Sequence, residues 1–375
     1  MEKRTFEKLG INTSLLGFGA MRFPLTEEGK IDEPLSKKMI ARALSSGVNY
    51  IDTAYPYHSG ASEPFVGKVL KQYERSSFYL ATKLPHWLIH SLEDAKRIFA
   101  EQCSRLQTEY LDFYLLHAMN GEAFDKMVSL GVVDYLEEMK TQGKIKYFGF
   151  SFHSTYEDFE KILAYKDWDF CQLQFNYMDT EEQAGERGYE LARNRGIPVI
   201  VMEPVKGGSL ASLPPDLDSQ LKALDQKASA SSFALRWVAG HSNVKVILSG
   251  MSTMEQLEDN ITTFSPYEPL REDEYKTLAS IRDTMKSRVG NGCTGCKYCM
   301  PCPFGVDIPG NFSIWNTYRM FQNYEGVKRN WEDKESQSKR PASCTECGRC
   351  IPLCPQHIDI PGDLKKVLQE MNISR

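Results

Sequence analysis

The sequence lacks a long hydrophobic run, a secretion signal and a stripe of positive charge. Its longest apolar runs, such as residues 199–202 and 246–248, are far too short to span a bilayer. The N-terminal sequence MEKRTFE has no apolar segment behind it, unlike a secretory signal. The formal net charge is −5, which argues against binding to nucleic acid. These absences exclude a membrane protein and make a secreted or nucleic-acid-binding protein a poor interpretation.

Length and composition are those of an ordinary folded protein. The 375 residues are 41% hydrophobic and 25% charged, which provides ample apolar material for a core. This composition excludes a disordered chain and a fibrous repeat. The length fits two or three domains, or one large barrel with an addition.

Cysteine is scarce in the first three-quarters of the chain, where only Cys103 and Cys171 occur. Eight of the ten cysteines lie between residues 293 and 354. This clustering indicates two parts with different chemistry, which we place at residues 1–285 and 286–375. Without a secretion signal, metal binding is a better interpretation of the cluster than a disulfide framework.

The first part alternates between short β-branched or aromatic runs and polar stretches with helical periodicity. The predicted strands are residues 15–19, 48–51, 78–81, 111–116, 147–150, 170–173, 199–202 and 244–248. The predicted helices are residues 36–45, 62–72, 93–105, 132–140, 156–163, 181–194, stretches up to 237, and 254–262. Eight such units predict the α/β class and a parallel (β/α)8 TIM barrel. An open doubly wound sheet is the alternative, but GFGAMR at 17–22 lacks the third glycine of its fingerprint.

Chemistry-bearing residues follow three neighbouring predicted strands. Asp52 and Tyr57 follow the second strand, Lys83 ends the third and His117 ends the fourth. In a parallel barrel these strand ends share one rim, where active sites are built. Each residue alone could be a helix cap, a solvated charge or a structural histidine. Together they predict a catalytic site.

Over roughly residues 5–265 these patterns resemble the aldo-keto reductases. The resemblance rests on GVNYIDTA at 47–54 with Tyr57, SE at 62–63 before Gly67, ATK at 81–83, DFYLLH at 112–117, and GKIK at 143–146 leading into GFS at 149–151. It implies NAD(P)H-dependent reduction of a small carbonyl substrate. It also implies that Tyr57 donates the proton, that Lys83 and Asp52 support it, and that His117 orients the carbonyl. Tyr55 is a competing phenol, but the spacing from Asp52 favours Tyr57.

The implied roles agree with the chemistry of hydride transfer. A reduced carbonyl becomes an alkoxide, which needs a proton and local positive charge. A phenol has a pKa of about 10, and a nearby ammonium is expected to lower that pKa. Asp52 would keep the Lys83 ammonium in place and charged, and a neutral His117 could donate a hydrogen bond to the substrate oxygen.

The resemblance also implies a nicotinamide site in which Ser151 and Gln172 hold the carboxamide. Met202 stands where the family often has an aromatic residue under the nicotinamide. The loops after the seventh and eighth strands are typical of phosphate sites, although ordinary turns look similar. No basic residue occurs from Ser249 to Asn260, which favours NADH over NADPH. The predicted cofactor-binding residues are Gly19, Ala20, Met21, Ser151, Gln172, Met202, Pro204, Lys206, Gly207, Gly208, Ser249, Gly250, Ser252, Gln256 and Asn260.

The second part is an internal repeat. Each cysteine run ends in Cys-Pro, and the tails VDIPG at 306–310 and IDIPG at 358–362 follow. The second run matches the bacterial ferredoxin pattern for a [4Fe-4S] cluster, and the first is one residue short before its last cysteine. Two such runs predict two clusters with exchanged fourth ligands; zinc is the alternative. The predicted ligands are Cys293, Cys296, Cys299, Cys302, Cys344, Cys347, Cys350 and Cys354.

The linker near 314–340 is rich in aromatic and charged residues, and we expect it to be helical in part. This tail resembles a dicluster ferredoxin module, which implies a small, mainly helical domain. The resemblance implies a cytoplasmic protein. NADH delivers two electrons together, whereas each cluster carries one, and no flavin fingerprint is present. Three hypotheses remain: a carbonyl reductase with accessory clusters, a scaffold that carries electrons to a redox partner protein, and a redox sensor. The complete set of four catalytic residues favours the first.

Overall fold

The computed structural model describes residues 1–336 and 339–373. The chain forms two compact units. The first comprises Met1–Ala211 and Ala228–Arg271, and the second comprises Ser212–Lys227 and Glu272–Arg375. The domain boundary at residue 285 stays a prediction.

The first unit is a closed parallel barrel of eight strands. A short antiparallel hairpin of β1 (Lys3–Phe6) and β2 (Ile11–Ser14) precedes it. The barrel strands, in spatial as well as chain order, are β3 (Leu16–Gly19), β4 (Tyr50–Asp52), β5 (Tyr79–Pro85), β6 (Leu111–Met119), β7 (Ile145–Phe152), β8 (Phe170–Gln174), β9 (Val199–Met202) and β10 (Val244–Gly250). The predicted TIM barrel is confirmed, and β10 closes on β3 rather than leaving an open sheet.

Helices surround these strands. They are α1 (Glu33–Ser45), α2 (Ser62–Leu70), α3 (Leu92–Arg105), α4 (Gly121–Ser129), α5 (Val132–Thr141), α6 (Tyr156–Tyr165), α7 (Gly185–Asn194), α9 (Ala230–Ala239) and α10 (Met254–Thr263); α8 (Pro215–Leu224) belongs to the second unit. Side-chain caps start many of them: Asp32, Ser91, Asn120 and Thr155 each accept a backbone N–H three residues on. Sequence analysis missed α4 and the β1–β2 hairpin, and α7 begins four residues later than predicted.

The barrel interior is filled with side chains, as in other barrels of this size. Tyr50, Phe113 and Phe170 are fully buried there, and their rings meet edge to face at centroid distances of 4.9 and 5.0 Å. A second apolar layer lies between strands and helices. This packing fixes the strands, so the residues at their carboxyl ends are held at one rim.

The second unit is mainly helical, as predicted. Besides α8 it contains α11 (Glu272–Ser287), α12 (Ile308–Phe321), α13 (Tyr324–Ser336) and α14 (Ile360–Ile373). Its core includes Trp315, Trp331 and Val367. The predicted linker near 314–340 is helical in part, although residues 337 and 338 lie outside the described residues. None of the helices in the described part of the chain has both the length and the apolarity needed to cross a bilayer.

The internal repeat is visible in the backbone around the cysteines. Left-handed residues occupy equivalent places in the two runs: Gly295, Lys297 and Gly305 in the first, Glu346, Gly348 and His357 in the second. Each tail then starts a helix in the same way, because Asp307 caps Gly310 N and Asp359 caps Gly362 N. The two runs therefore share one local fold despite the missing residue in the first.

Candidate functional site

The four predicted catalytic residues lie together at the carboxyl rim of the barrel. Asp52 ends β4, and Lys83 and His117 lie in β5 and β6. Tyr57 opens a short turn after β4. The turn continues through His58 and Ser59, which both adopt left-handed φ values of 52° and 54°. Such strain in non-glycine residues is commonly concentrated at functional sites.

Lys83 is the centre of this cluster. Its Nζ lies 2.6 Å from Asp52 Oδ1, 2.8 Å from the Thr53 carbonyl oxygen and 3.4 Å from Tyr57 Oη. The Lys83 and Asp52 side chains are only 1% and 4% exposed. Burial opposes the charged ammonium, but the adjacent carboxylate outweighs it, so the pKa of Lys83 is raised. The ammonium therefore stays charged beside the phenol.

The pKa of Tyr57 differs from the sequence-based expectation. Lys83 does act to lower it, but burial of the phenol acts more strongly and the pKa is raised above its ordinary value. The predicted pKa shift includes the effect of the Lys83 ammonium but not that of the burial of the phenol. At neutral pH the phenol is therefore fully protonated, which is the state that a proton donor needs.

The competing phenol lies in different surroundings. Tyr55 Oη donates to Glu101 at 3.0 Å, and the Arg105 guanidinium lies 4.2 Å from the centre of the Tyr55 ring. Burial and the Glu101 carboxylate raise the pKa of Tyr55. The structure thus brings Tyr57 to Lys83, while Tyr55 contacts the surface side of α3.

His117 completes the cluster. Its ring centroid is 6.2 Å from that of Tyr57 and 5.2 Å from that of the half-exposed Trp87. Burial, with the Lys83 charge, lowers the pKa of His117 well below its usual value. The imidazole is therefore neutral at neutral pH and can donate one hydrogen bond.

A buried polar network supports the Lys83 strand from behind. Gln102 Nε2 donates to the Lys83 carbonyl oxygen at 3.1 Å and to Glu63 Oε1 at 2.6 Å. Thr82 Oγ1 also donates to Glu63 Oε1, at 2.7 Å, and Glu63 is fully buried. Glu63 belongs to the SE motif at 62–63 in the family resemblance, and its role was not predicted. In the structure Glu63 holds the side chains of Thr82 and Gln102, and Gln102 in turn holds the Lys83 carbonyl oxygen.

The predicted cofactor-binding residues fall at the same rim. Gly19, Ala20 and Met21 end β3 and begin its loop, Ser151 lies in β7 and Gln172 in β8. The others form two groups: Met202, Pro204, Lys206, Gly207 and Gly208 follow β9, and Ser249, Gly250, Ser252, Gln256 and Asn260 lie at the end of β10 and in α10. They thus come from strand ends, from the loops that follow or, for Gln256 and Asn260, from α10, where Asn260 Nδ2 donates to Ser249 Oγ at 2.9 Å.

The side chains at the centre of this group fit a carboxamide. Gln172 Oε1 is buried and has no hydrogen-bond partner among the described residues, while Gln172 Nε2 lies 3.3 Å from Met202 Sδ. Ser151 Oγ accepts from Ala118 N at 2.8 Å. A buried acceptor without a partner is costly, and a carboxamide N–H2 is a group that could satisfy it.

Two charged residues near the predicted phosphate loops, Asp179 and Arg22, were not predicted. Lys206 Nζ is bound by both oxygens of Asp179, each at 2.6 Å. Arg22 lies between the loops: a Cβ at Gly250 would come 2.6 Å from Arg22 Cγ, and one at Gly207 would come 3.6 Å from Nη2. Arg22 directly follows the predicted residue Met21, but nothing in the sequence shows that its side chain crosses to these loops.

Helix α10 carries carboxylates, as the sequence indicated. Glu258 pairs with Arg42 of α1 through both oxygens, at 2.6 and 2.8 Å. Asp259 accepts from Ser229 Oγ at 2.6 Å. The Arg42 cation that reaches this stretch is thus matched by a carboxylate, which leaves Arg42 little attraction for a ribose 2′-phosphate.

In the second unit the eight cysteines of the two runs line two cavities. Four of them, Cys302, Cys344, Cys347 and Cys350, line one cavity, and Cys293, Cys296 and Cys354 line the other; Cys299 lines both. The last cysteine of each run thus stands with the first three of the other run. Among the described residues no group of three or more His, Cys, Asp or Glu is arranged to hold a single metal ion. The thiols fit two four-cysteine clusters with exchanged ligands.

The thiols themselves are unpaired cysteines with no disulfide. Burial and the neighbouring thiols raise the pKa of Cys299 to about 11, and burial also raises the pKa values of Cys293 and Cys350. Because thiolates are the metal ligands, cluster assembly must release protons from these groups. The two cavities therefore bring the cysteines together, but Cys293, Cys299 and Cys350 must lose protons before they can bind metal.

Comparison with known proteins agrees with both units. The model of the aldo/keto reductase family matches residues 15–283, and that of the 4Fe-4S dicluster domain matches residues 292–358. L-galactose dehydrogenase of Arabidopsis thaliana is 26% identical over 75% of this chain and 93% of its own. The NADH-specific methylglyoxal reductase of Escherichia coli is 24% identical over 70% and 90%. The holo structure of aldo-keto reductase AKR11C1 from Bacillus halodurans is 26% identical over 75% and 96%, with a TM-score of 0.62.

Proposed function

The chain belongs to the aldo/keto reductase family of oxidoreductases and ends in a 4Fe-4S dicluster domain, and from this premise we propose that it reduces a small carbonyl compound with a nicotinamide cofactor. The observation that carries the proposal is the contact of the Lys83 ammonium with both Asp52 and Tyr57, 2.6 and 3.4 Å away. A buried ammonium beside a protonated phenol is suited to stabilise and protonate a nascent alkoxide.

Each side chain has a separate task in this proposal. Tyr57 Oη holds the proton and delivers it to the substrate oxygen. Lys83 stabilises the phenolate that remains, and Asp52 keeps Lys83 charged and oriented. His117, neutral because burial lowers its pKa, donates a hydrogen bond to the same oxygen. General acid catalysis of this kind contributes about 10² to 10⁴ in rate.

The cofactor site would be formed by Gln172 and Ser151 at the carboxamide and by the loops near Arg22 at the phosphates. A bound nicotinamide cofactor would supply the hydride. We propose NADH rather than NADPH, because the Arg42 guanidinium, which reaches α10 from α1, is already paired with Glu258. Anaerobic titration with both cofactors tests this preference: a lower Kd for NADPH would contradict it.

We also propose two [4Fe-4S] clusters, with Cys354 completing the first-run site and Cys302 the second-run site. Their support is the sharing of the two cavities between the runs. Clusters of this kind carry one electron each, so the hydride step in the barrel does not require them. The domain boundary after residue 285 and a cytoplasmic location remain predictions.

The decisive experiment replaces Tyr57 by Phe and uses Tyr55→Phe as the matched control. Both variants remove one hydroxyl, but only Tyr57 contacts Lys83. We expect NADH-dependent reduction of a panel of aldehydes and ketones to fall at least 10²-fold in Tyr57→Phe and to change less than threefold in Tyr55→Phe. Equal activity of the two variants would contradict the proposal.

The runner-up function is an electron-transfer protein in which the barrel serves as a scaffold. The cysteine cavities favour it, because a dicluster site has no role in hydride transfer. Under this function Tyr57→Phe would leave cluster reduction by an external carrier unchanged, and no carbonyl in the panel would be reduced. The same two variants therefore decide between the functions.

A further inference from the structure

Glu203 directly follows β9 at the carboxyl rim, and its backbone is strained. Its φ of 54° is left-handed, which is uncommon for a residue that carries a side chain. The residue before a proline is sterically restricted as well, and Pro204 comes next. Strain of this kind is concentrated at functional sites, yet the reduction as described so far gives the exposed Glu203 carboxylate no task.

Two hydrogen bonds hold the backbone of Glu203 in this conformation. Its carbonyl oxygen accepts from Asn176 Nδ2 at 3.2 Å and from Lys206 N at 3.0 Å. Asn176 is fully buried, and its Nδ2 also donates to Asp179 Oδ2 at 3.1 Å. The turn after β9 is thus tied to the loop after β8, which fixes the place where the Glu203 side chain leaves the backbone.

The Glu203 carboxylate has no ion-pair or hydrogen-bond partner in the part of the chain that the structure describes. Lys206, three residues further along, is bound by Asp179, and Lys83 is bound by Asp52. Neither of these cations of the rim neutralises Glu203. Its negative charge is therefore available to a ligand at the rim.

The carboxylate acts on the interior of the site. It is one of the charges that raise the pKa of Tyr57. Glu203 also follows Met202, whose Sδ lies 3.3 Å from Gln172 Nε2 at the proposed carboxamide site. A ligand that covers this part of the rim excludes water, and charges interact more strongly where water is excluded.

We propose that Glu203 stabilises the positive charge that appears on the nicotinamide ring when the hydride leaves. The inference rests on the proposed reduction and adds a residue that acts on the oxidised form of the cofactor. A hydride passes from the dihydronicotinamide to the carbonyl carbon, and the Tyr57 proton passes to the carbonyl oxygen. The carbonyl is thus reduced, and the ring is oxidised and changes from neutral to singly positive. A carboxylate held in place beforehand favours this change, because opposite charges attract.

The first test compares the unaltered protein with Glu203→Gln by anaerobic isothermal titration calorimetry with NADH and with NAD⁺. Both forms carry the same pyrophosphate, so the ratio of their Kd values isolates the charge of the ring. We expect the Kd for NAD⁺ to rise about three- to tenfold in the variant and the Kd for NADH to change less than about twofold. The potential of the bound cofactor then rises by about 15–30 mV, because tenfold corresponds to about 30 mV for a two-electron couple. Equal weakening of both forms would overturn the proposal, since Glu203 would then only hold the loop.

Two further variants separate the local charge from other effects. Glu203→Asp keeps the carboxylate, so its ratio of Kd values should lie closer to that of the unaltered protein than to that of Glu203→Gln. Glu182→Gln removes an exposed carboxylate from the loop after β8 and should leave the ratio unchanged. A change in Glu182→Gln as large as in Glu203→Gln would overturn the proposal, because the effect would then be one of overall charge.

The second test asks whether the carboxylate acts on the substrate instead. At saturating NADH, kcat/KM is measured for benzaldehyde, 4-carboxybenzaldehyde and 4-(trimethylammonio)benzaldehyde. We expect Glu203→Gln to change all three values by the same factor. A selective gain for the anionic aldehyde with a loss for the cationic one would show that Glu203 selects the substrate charge, and would overturn the proposal.

Failure of this inference and failure of the proposed function have different signatures. If neither NADH nor NAD⁺ binds, or if Tyr57→Phe reduces carbonyls as fast as the unaltered protein, the proposed function is wrong. If both forms bind and reduction depends on Tyr57, but the ratio of Kd values is the same in Glu203→Gln, only the role of Glu203 is wrong.

Discussion

The barrel rim and the cysteine loops hold reactive side chains in opposite ways. At the rim, Lys83 and Asp52 are buried and already paired, because the strands that carry them are fixed by a filled interior. In the second unit the thiols are partly exposed, with the pKa of Cys299 raised to about 11, and they lie on loops with left-handed residues. The charged pair of the rim is thus assembled without a ligand, whereas the proposed metal ligand Cys299 must lose a proton before it can bind metal.

The largest effect is expected when the ion pair of Lys83 and Asp52 at the rim is broken. Lys83→Met removes the ammonium and leaves the Asp52 carboxylate buried without its partner. We expect carbonyl reduction to fall about 10³-fold and the free energy of unfolding to fall by about 3–5 kcal/mol. Steady-state kinetics and denaturant unfolding measure the two losses.

The double variant Asp52→Asn with Lys83→Met separates these two effects. Because it removes the uncompensated charge, it is expected to recover most of the stability and none of the activity. Recovery of activity together with stability would show that Lys83 is structural rather than catalytic.

The next largest effect is expected at the cysteine sites of the second unit. Cys354→Ser should remove the cluster of the first run, and Cys302→Ser that of the second, because each stands in the other run's cavity. Either change should lower the iron content from about eight to about four per chain. Carbonyl reduction should change less than twofold, because the rim needs no metal.

Electron paramagnetic resonance identifies which cluster remains in each variant. The matched control is Cys171→Ser, a buried cysteine in β8 outside both runs, which should keep the full iron count. Loss of the second-run signal in Cys354→Ser would refute the exchange of ligands.

Sequence reasoning reached the residues whose position follows from a repeating rule. Parallel strands end at one rim, so alternation alone placed Asp52, Lys83 and His117 together. It failed where position depends on packing between distant segments: Arg22 reaches the β9 and β10 loops through space, and no spacing shows this. The pKa of Tyr57 was likewise out of reach, because it is a balance between burial and a neighbouring charge.

The cysteine loops show the same limit of prediction from sequence. Spacing predicts the cysteines that line the two cavities, since ferredoxin-type runs follow a local rule, and the ligand exchange stays a prediction. It could not predict that Phe304 and Leu353 are exposed, because exposure is a property of the folded unit. The β1–β2 hairpin was missed because its two strands of four residues are short and polar.

A smaller effect is expected from pH, and its direction follows from the shifted pKa values. Burial raises the pKa of Tyr57, so the proton donor stays intact through the neutral range and is lost only as pH rises above its folded pKa. Burial lowers the pKa of His117 well below its usual value, so the imidazole becomes charged only in acid. We expect reduction to be flat from about pH 7 to 9 and to fall about tenfold per unit at strongly alkaline pH.

The reverse reaction provides the control for this profile. Alcohol oxidation needs the phenolate, so its rate should rise over the pH range where reduction falls. Tyr55→Phe should leave both profiles unchanged. An alkaline limb for reduction that begins near pH 8 would contradict the raised pKa of Tyr57.

The smallest expected effect tests whether the loop after β10 is held rigidly by packing, as the rim is, or can adjust to a ligand. In Gly250→Ala the new Cβ would meet Arg22 Cγ at 2.6 Å, so this exposed side chain must move while the barrel stays intact. We expect the Kd for NADH to rise about threefold, since one cation near a phosphate contributes roughly 0.5–1 kcal/mol at a solvated site. Gly17→Ala is the matched control, because its Cβ would meet Val246 and Leu248 in the barrel interior at 2.6 and 2.8 Å. That variant should lose about 1–3 kcal/mol of stability with no selective loss of NADH affinity.

If Gly250→Ala also lowers the free energy of unfolding by this amount, the loop after β10 is as rigid as the strands of the rim. Arg22 would then be fixed by packing rather than available to a ligand.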